Sequence, residues 1–205
     1  MSSATQLPTR FVSLRDLPVE EHRGRDAMWG VIATEAALFF CLFGAYFYLG
    51  NDKARWSINQ PPKIYYALIM LAVLLTSSAV LHWGEKQVKR GLYASGRKAL
   101  LATILIGFGF LALQAFEYLD HWKTLTPYSN SYGSIFYTIT TFHAAHLIVG
   151  LLILIYALFI PRYGPTLESP FRPYETASLY WHFVDLVWIF IVLILYVIPN
   201  LMVHG

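Results

Sequence analysis

Ionisable side chains stand inside the long apolar runs of this sequence, where a carboxyl or an imidazole would be surrounded by hydrocarbon. The last of these runs, YWHFVDLVWIFIVLILY, holds His182 and Asp185 about one helical turn apart. Burying such groups in a membrane is costly, so their presence predicts a function or a dedicated partner. The candidate site residues, taken from all the runs, are Glu35, His82, Glu117, His143, His146, His182 and Asp185.

Two kinds of chemistry fit these carboxyls and imidazoles. Glu35, His182 and Asp185 could form a proton relay of the type found in membrane pumps. Alternatively, His182 and Asp185 lie on one helix face and belong to a closed hydrogen-bond network that fixes the helix register. The residues next to Glu35 are small, so its carboxyl either meets another helix or faces lipid. Residue type and spacing leave both alternatives open.

Haem or metal ligation is a further hypothesis for the histidines, because helical bundles hold cofactors between imidazoles of facing helices. A di-iron carboxylate site would need Glu-x-x-His on two helices, and the sequence offers only the reversed His82-x-x-Glu85. Paired haem ligation by His82 and His182 is compatible with their positions. Cys41 is the only cysteine, which excludes disulfides, a CxxCH haem attachment and paired-thiolate metal sites within this chain.

Membrane-spanning helices are the elements that must position these residues. The chain has 205 residues, 57% of them apolar and 13% charged, and its mean hydropathy is +0.49. Such values are typical of multi-span membrane proteins. A span needs about 20 apolar residues, and runs of that kind predict helices at 27–49, 64–83, 98–119, 134–160 and 179–200. We predict an all-α, polytopic bundle of five transmembrane helices over 27–205, preceded by a polar cytoplasmic segment, 1–26.

The distribution of basic residues predicts the orientation. Eleven Lys and Arg residues fall on one side of the predicted spans and four on the other. By the positive-inside rule, the N-terminus lies in the cytoplasm and the C-terminus in the periplasm. The net charge of +3 is small and results from this bias, so it excludes a basic stripe for nucleic acid. The N-terminal segment lacks the apolar core of a cleaved signal peptide.

Tryptophans mark the predicted ends of the spans. Trp29, Trp56, Trp83, Trp122 and Trp181 all fall at or near such ends. Aromatic side chains of this kind form belts at both membrane interfaces. We therefore predict that these five residues are interfacial anchors.

Five motifs, in order and with matching spacing, resemble subunit III of the haem-copper terminal oxidases in its short, five-helix bacterial form. They cover the chain from about Ala27 to its C-terminus. The motifs are Thr34-Glu35 before AALFFCLFGAYFY, Leu75-Thr76-Ser77-Ser78 running to His82-Trp83, Gln114-Ala115-Phe116-Glu117-Tyr118, Tyr132-Gly133-Ser134 leading to Phe142-His143-Ala144-Ala145-His146, and Tyr180-Trp181-His182-Phe183-Val184-Asp185 with Val187-Trp188. Longer members begin with two further helices, and many have Gly-Leu in place of Ala144-Ala145.

The resemblance implies an accessory subunit of a proton-pumping oxidase in the aerobic respiratory chain. Such a subunit has no redox cofactor of its own, because the haems and copper lie in partner subunits I and II. It packs on subunit I, binds phospholipid, and supports proton uptake and the stability of the complex in the bacterial cytoplasmic membrane. By resemblance, Glu35 matches the intramembrane glutamate of the family, and its polar interhelical positions are matched by His143, His146, His182 and Asp185. Two alternatives are a related subunit of a nitric oxide reductase system and a self-standing intramembrane haem or metal enzyme.

Overall fold

The computed structural model describes residues 23–51, 56, 62–122, 125–159 and 171–204. These residues form α1 (Arg23–Gly50), α2 (Ile64–Lys89), α3 (Tyr93–His121), α4 (Ser131–Phe159) and α5 (Phe171–Ile191), followed by a π-helical segment (Val192–Val197) and α6 (Ile198–His204). Five helices are long and apolar enough to cross a membrane, the fifth running through the π-helical segment. The described residues contain no strand, so the prediction of an all-α, five-span protein is confirmed.

The helices are longer than the apolar runs, mostly at one end of the bundle. The second helix continues from the predicted residue 83 to Lys89, the third begins at Tyr93 instead of 98, and the fifth begins at Phe171 instead of 179. Backbone hydrogen bonds continue a helix past the point where its side chains leave the hydrocarbon, and hydropathy follows only the side chains. Residues 1–22 of the predicted N-terminal segment lie outside the described residues, and the orientation stays a prediction.

We name the two ends of the bundle by a lysine at each. At the Lys89 end, where α2 ends and α5 begins, Arg25 of α1 lies 3.8 Å from Glu175 of α5. At the opposite, Lys63 end, the Lys63 ammonium lies 2.7 Å from the Asp120 carboxylate. The Asn200 side-chain amide also donates to the Pro62 carbonyl there, at 3.1 Å. Side-chain contacts therefore join different helices at both ends.

The fifth spanning helix lies at the centre of the bundle. It packs against α1, α2 and α4, whereas α1 meets chiefly α4 and α5. Trp181 and Trp188 are fully buried on its inner face. The prediction that Trp181 is an interfacial anchor is wrong, because its indole N–H donates to the Ser77 hydroxyl at 2.9 Å inside the bundle. Trp29, Trp83 and Trp122 are about half exposed, as anchors would be.

The π-helical segment ends two residues before Pro199. Pro199 has no N–H, so within a helix it cannot bond the carbonyl four residues earlier, which belongs to Leu195. The Tyr132 hydroxyl of α4 donates to that carbonyl at 3.0 Å. The wider π-helical turn also rotates the residues that follow it around the helix axis. Tyr196 therefore shares the buried face of Trp188, eight residues before it, and their ring centroids lie 6.4 Å apart. The segment therefore directs Tyr196 into the bundle.

Glycines set the closest approaches between helices. A Cβ on Gly84 of α2 would overlap the Ala99 methyl of α3 and the Tyr174 hydroxyl of α5. A Cβ on Gly107 would lie 2.8 Å from the ring of Trp181, whereas one on Gly109 would meet nothing within 4 Å. Close packing at Gly107 thus agrees with the small-residue rule for membrane helices, and Gly109 faces outward.

Candidate functional site

Asp185 and His182 meet a serine of the neighbouring helix. The Ser78 hydroxyl of α2 donates to Asp185 Oδ2, and its oxygen lies 2.8 Å from His182 Nδ1. A serine has one proton to donate, so His182 Nδ1 must carry a hydrogen and donate it to Ser78. Asp185 Oδ1 is buried and has no hydrogen-bond partner among the described residues. The pair therefore joins α5 to α2 and leaves one carboxyl oxygen unsatisfied.

The same contacts continue toward the Lys89 end. His182 Nε2 lies 3.3 Å from the Ser178 hydroxyl, one turn earlier on α5. Ser178 also lies 3.5 Å from Glu85 Oε2, and Glu85 Oε1 lies 2.8 Å from the Lys89 ammonium. A series of polar side chains thus runs from the end of α2 into the buried part of α5.

His82 stands beside this series, and its side chain is as exposed as that of Lys89. Its Nδ1 lies 3.8 Å from Glu85 Oε2, a separation too long for a hydrogen bond. His182 is also partly exposed, yet both of its ring nitrogens already face serines. Joint haem ligation by His82 and His182 would therefore require His182 to give up a serine contact.

Glu35 has a partner on another helix. Its Oε2 lies 2.7 Å from His146 Nε2 of α4, and the ring of Phe39 packs 4.9 Å from that imidazole. The other ring nitrogen, Nδ1, lies 2.6 Å from the Phe142 carbonyl. The contact joins α1, the least packed helix, to α4. The sequence left two alternatives for the Glu35 carboxyl, another helix or lipid, and the structure places it against another helix.

The Glu35–His146 contact holds a single shared proton. A carbonyl oxygen can only accept, so His146 Nδ1 must donate to Phe142. The proton between Nε2 and Oε2 then belongs either to an imidazolium beside a carboxylate or to a neutral carboxyl beside a neutral imidazole. Both arrangements have zero net charge. This neutrality is what allows an acid and a base to lie together in hydrocarbon.

We expect the two substitutions of Glu35 to differ in their effect on stability. Glu35→Gln keeps a donor for His146 Nε2 and should leave the thermal unfolding midpoint of the chain in lipid nanodiscs nearly unchanged. Glu35→Leu leaves Nε2 without a partner and should cost about 1 kcal/mol, within the range for polar contacts between membrane helices. The double variant Glu35→Leu/His146→Phe should recover part of that loss. Equal midpoints for the Leu and Gln variants would contradict the role of this contact.

His143 lies at the centre of the bundle, between aromatic rings. It is fully buried, and its ring lies 4.9 Å from Trp188, tilted by 30°, and 5.8 Å from Phe110. Neither ring nitrogen, nor the Trp188 indole N–H, has a hydrogen-bond partner among the described residues. His143 and His146 come from one helix, yet only His146 contacts a carboxyl.

Glu117 is fully buried on α3, toward the Lys63 end. The Tyr196 hydroxyl donates to its Oε1 at 2.8 Å, and the Gln114 amide donates to its Oε2 at 3.0 Å. His121 Nδ1 is 3.8 Å from Oε1. Gln114, Glu117 and His121 are spaced by three and four residues and therefore share one face of α3.

His121 links this group to the surface at the Lys63 end. Its Nε2 accepts from the Lys63 backbone N–H at 3.3 Å. The Lys63 ammonium in turn donates to Asp120 Oδ2 at 2.7 Å. That hydrogen bond, followed by the attraction of the Asp120 charge, raises the pKa of the exposed Lys63 side chain. A polar group thus lies at each end of the bundle.

The structure divides the candidate residues into separate groups. His182 and Asp185 come together with Ser78, and His82 lies nearby beside Glu85. Among the described residues, Glu35 hydrogen-bonds to His146 and not to His182 or Asp185. Sequence reasoning missed the hydrogen-bonding partners Ser78, Ser178, Gln114, His121 and Tyr196. The spacing of Ser178, His182 and Asp185 along one helix face could have indicated Ser178, whereas Tyr196 depends on the π-helical segment.

In the part of the chain that the structure describes, no cluster of side chains is arranged for metal ligation. No group of three or more His, Cys, Asp or Glu side chains there is arranged to hold an ion. His182 faces serines, His146 faces a carboxyl and a carbonyl, and His143 faces aromatic rings. These side chains can share or exchange protons, and their contacts hold the helices together.

Comparison with known proteins finds one family along nearly the whole chain. The family model described as cytochrome c oxidase subunit III matches residues 26–199. Cytochrome c oxidase subunit 3 of Synechocystis sp. is 33% identical over 177 residues, covering 83% of this chain and 75% of that protein. The corresponding proteins of Coturnix japonica and Lycodon semicarinatus are 33% and 36% identical and cover 80% of this chain. The chain spans only 66% of the length of these two.

Proposed function

The chain belongs to the cytochrome c oxidase subunit III family, and from this premise we propose that it is the accessory subunit III of a proton-pumping haem-copper terminal oxidase. The relatives are subunits of such oxidases, and the chain itself is a multi-pass membrane protein. In this proposal the complex works in the aerobic respiratory chain of a bacterial cytoplasmic membrane. The N-terminus lies in the cytoplasm, so the Lys89 end faces the side from which an oxidase takes up protons.

The observation that carries the proposal is the extent of the family match. Residues 26–199 contain nearly all of the five spanning helices and all seven candidate residues. The motifs of a short segment could recur by chance, but a match through five helices in order requires the same bundle. The name of the relatives, cytochrome c oxidase subunit 3, supports an oxidase subunit over a subunit of a nitric oxide reductase system.

We further propose that the chain packs on subunit I and holds structural phospholipid. The outward faces of its helices support this, because they present large apolar side chains such as Phe40, Leu105 and Tyr156 to lipid or to a partner. Oxidase haems and copper belong to subunits I and II in this proposal. The histidines of this chain then serve packing and proton exchange, in agreement with their hydrogen-bonded or ring-enclosed positions.

Copurification tests the proposal. A tagged full-length chain is purified from its native membranes in mild detergent, and the proteins that accompany it are identified. We expect subunits I and II of a haem-copper oxidase in about equal amounts, with oxygen consumption in the purified fraction. The untagged strain serves as the control. Recovery of a nitric oxide reductase catalytic subunit instead, or a haem spectrum that stays with the isolated chain, would contradict the proposal.

A further inference from the structure

Five side chains form a continuous hydrogen-bonded series between α2 and α5. In order from the Lys89 end they are Glu85, Ser178, His182, Ser78 and Asp185, which we call the Glu85–Asp185 series. Successive contacts measure 3.5 Å, 3.3 Å and 2.8 Å, and the last is the short hydrogen bond from Ser78 to Asp185. At a rise of about 1.5 Å per residue, Ser178 and Asp185 are about 10 Å apart along the axis of α5.

Every member between the two carboxyls can both accept and donate a proton. Serine hydroxyls and a neutral imidazole both have this property without a net charge. Ser78 donates to Asp185, so His182 Nδ1 donates to Ser78. Ser178 has one hydroxyl proton, which it donates to Glu85 while Glu85 is a carboxylate. When Glu85 takes up a proton it becomes the donor, and the hydroxyl proton of Ser178 is then free for His182 Nε2. Protonation of Glu85 thus turns all donors of the series toward Asp185.

The two ends of the series differ in their surroundings. At one end, Glu85 lies beside Lys89, whose side chain is 55% exposed, while Glu85 is 15% exposed. At the other end, the Asp185 side chain is 7% exposed and its Oδ1 has no partner in the described structure. An ionised carboxyl with an unsatisfied oxygen is costly in hydrocarbon. Binding one proton removes that charge, so Asp185 has a physical reason to take a proton from the series.

We propose that the Glu85–Asp185 series is a proton-exchange path, and that Asp185 is a proton-storing group inside the membrane. One proton passes from the Glu85 carboxyl to Ser178, the hydroxyl proton of Ser178 passes to His182 Nε2, the Nδ1 proton passes to Ser78, and the Ser78 proton passes to Asp185. The result is one proton lost by Glu85, which water replaces, and one gained by Asp185. Rotation of the hydroxyls, release of the Nε2 proton to water and uptake of one proton from water at Nδ1 restore the starting arrangement, because the His182 side chain is 42% exposed.

The path is surrounded by other titratable groups on several helices. On α2, His82 lies beside Glu85, and on α5, Glu175 lies near Lys89 and pairs with Arg25 of α1. On α4, His143 packs on Trp188, one turn from Asp185, and on α1, Glu35 lies near Tyr180. Arg97 and Lys98 of α3 are exposed at the same end. His182 is the charged or titratable group that contacts Asp185 directly, at 3.8 Å.

This inference deepens the proton-uptake part of the proposed function, yet its test needs no oxidase activity. The full chain is placed in lipid nanodiscs, and infrared spectroscopy detects the carbonyl stretch of a protonated carboxyl after a step to acid pH. Asp185→Asn identifies the band that belongs to Asp185. The rate at which this band shifts after H2O buffer is replaced by D2O buffer measures proton exchange at Asp185.

We expect fast exchange in the wild-type chain and exchange slower by about tenfold or more in Ser178→Ala, a change equal to about 1.4 kcal/mol in the barrier. Ser78→Ala should behave in the same way, which provides a second variant if one of them fails to fold. Thr76→Ala is the matched control, because Thr76 has an exposed hydroxyl on α2 that donates to the Ala72 carbonyl of its own helix, at 2.7 Å. Its exchange rate should equal that of the wild type.

Two results would overturn the inference. One is the absence of a band that Asp185→Asn removes, which would mean that Asp185 does not take up a proton. The other is an unchanged exchange rate in both serine variants, which would mean that the proton arrives by another way. Slow exchange in these variants combined with copurification of a partner other than an oxidase would leave the path intact and reject the proposed function.

Discussion

Gly84→Leu should prevent the chain from accumulating as a stable folded bundle. Gly84 lies where α2, α3 and α5 meet, and a Cβ there would overlap the Ala99 methyl, which is fixed close to its backbone. It would also displace the Tyr174 hydroxyl, which donates to the Leu81 carbonyl at 3.1 Å. Gly96 of α3 is equally confined, because its own Cβ would overlap Val88. No rotamer of leucine avoids these atoms, so α3 must move away from α2.

The expected loss combines two effects. Overpacking costs about 1–3 kcal/mol, and stranding the Tyr174 hydroxyl adds about 1–3 kcal/mol. Such a sum is a large part of the usual stability of about 5–15 kcal/mol. For a chain of this size it would lower the thermal midpoint by about 2–4 °C per kcal/mol. The yield of monodisperse protein and the unfolding midpoint in nanodiscs measure the loss.

Gly109→Leu provides the matched control, because a Cβ at Gly109 meets nothing within 4 Å. The same residue type enters a membrane helix in both variants, so hydrophobicity and helix propensity change equally. We expect Gly109→Leu to keep the wild-type yield and midpoint. If the two variants behaved alike, the close approach of α2 and α3 at Gly84 would be disproved.

The fold could be predicted from the sequence because each membrane helix is determined by its own stretch of residues. Each span is a run of apolar residues, and the bilayer forces its backbone bonds to be made within the helix. The number of spans and the family could therefore be predicted, and both predictions are confirmed. The helix ends at Lys89 and Phe171 could not be predicted, because these helices continue beyond their apolar runs at the Lys89 end.

Partners within the candidate site were harder to predict, since they depend on which helices are adjacent. The apolar environment of Glu35 predicted a costly carboxyl but could not select His146, which lies 111 residues away. The burial of Trp181 likewise depends on Ser77 of another helix. Tyr196 reaches Glu117 through a local change of helix type beside Pro199, and a regular α-helical periodicity would have placed it differently.

Glu117→Leu should produce the second large loss of stability. Its measurement weighs the cost of burying the carboxyl against the hydrogen bonds that the carboxyl accepts. Removing a buried carboxyl relieves the cost of burying it, which alone can stabilise a protein. Here, however, the carboxyl accepts from the Tyr196 hydroxyl and the Gln114 amide, and both donors are buried. Leucine can accept neither hydrogen bond. Each stranded donor costs about 1–3 kcal/mol, so we expect a net loss of several kcal/mol.

Three further variants isolate the cause of that loss. Glu117→Gln keeps a carbonyl acceptor for one donor and should lose less than the leucine variant. The double variant Glu117→Leu/Tyr196→Phe removes the stranded hydroxyl, so it should be more stable than Glu117→Leu alone, as a double-mutant cycle would reveal. Phe116→Leu, at a neighbouring residue that is 64% exposed, should leave the unfolding midpoint unchanged. A midpoint for Glu117→Leu at or above that of the wild type would mean that burial of this carboxyl costs more than its two hydrogen bonds contribute.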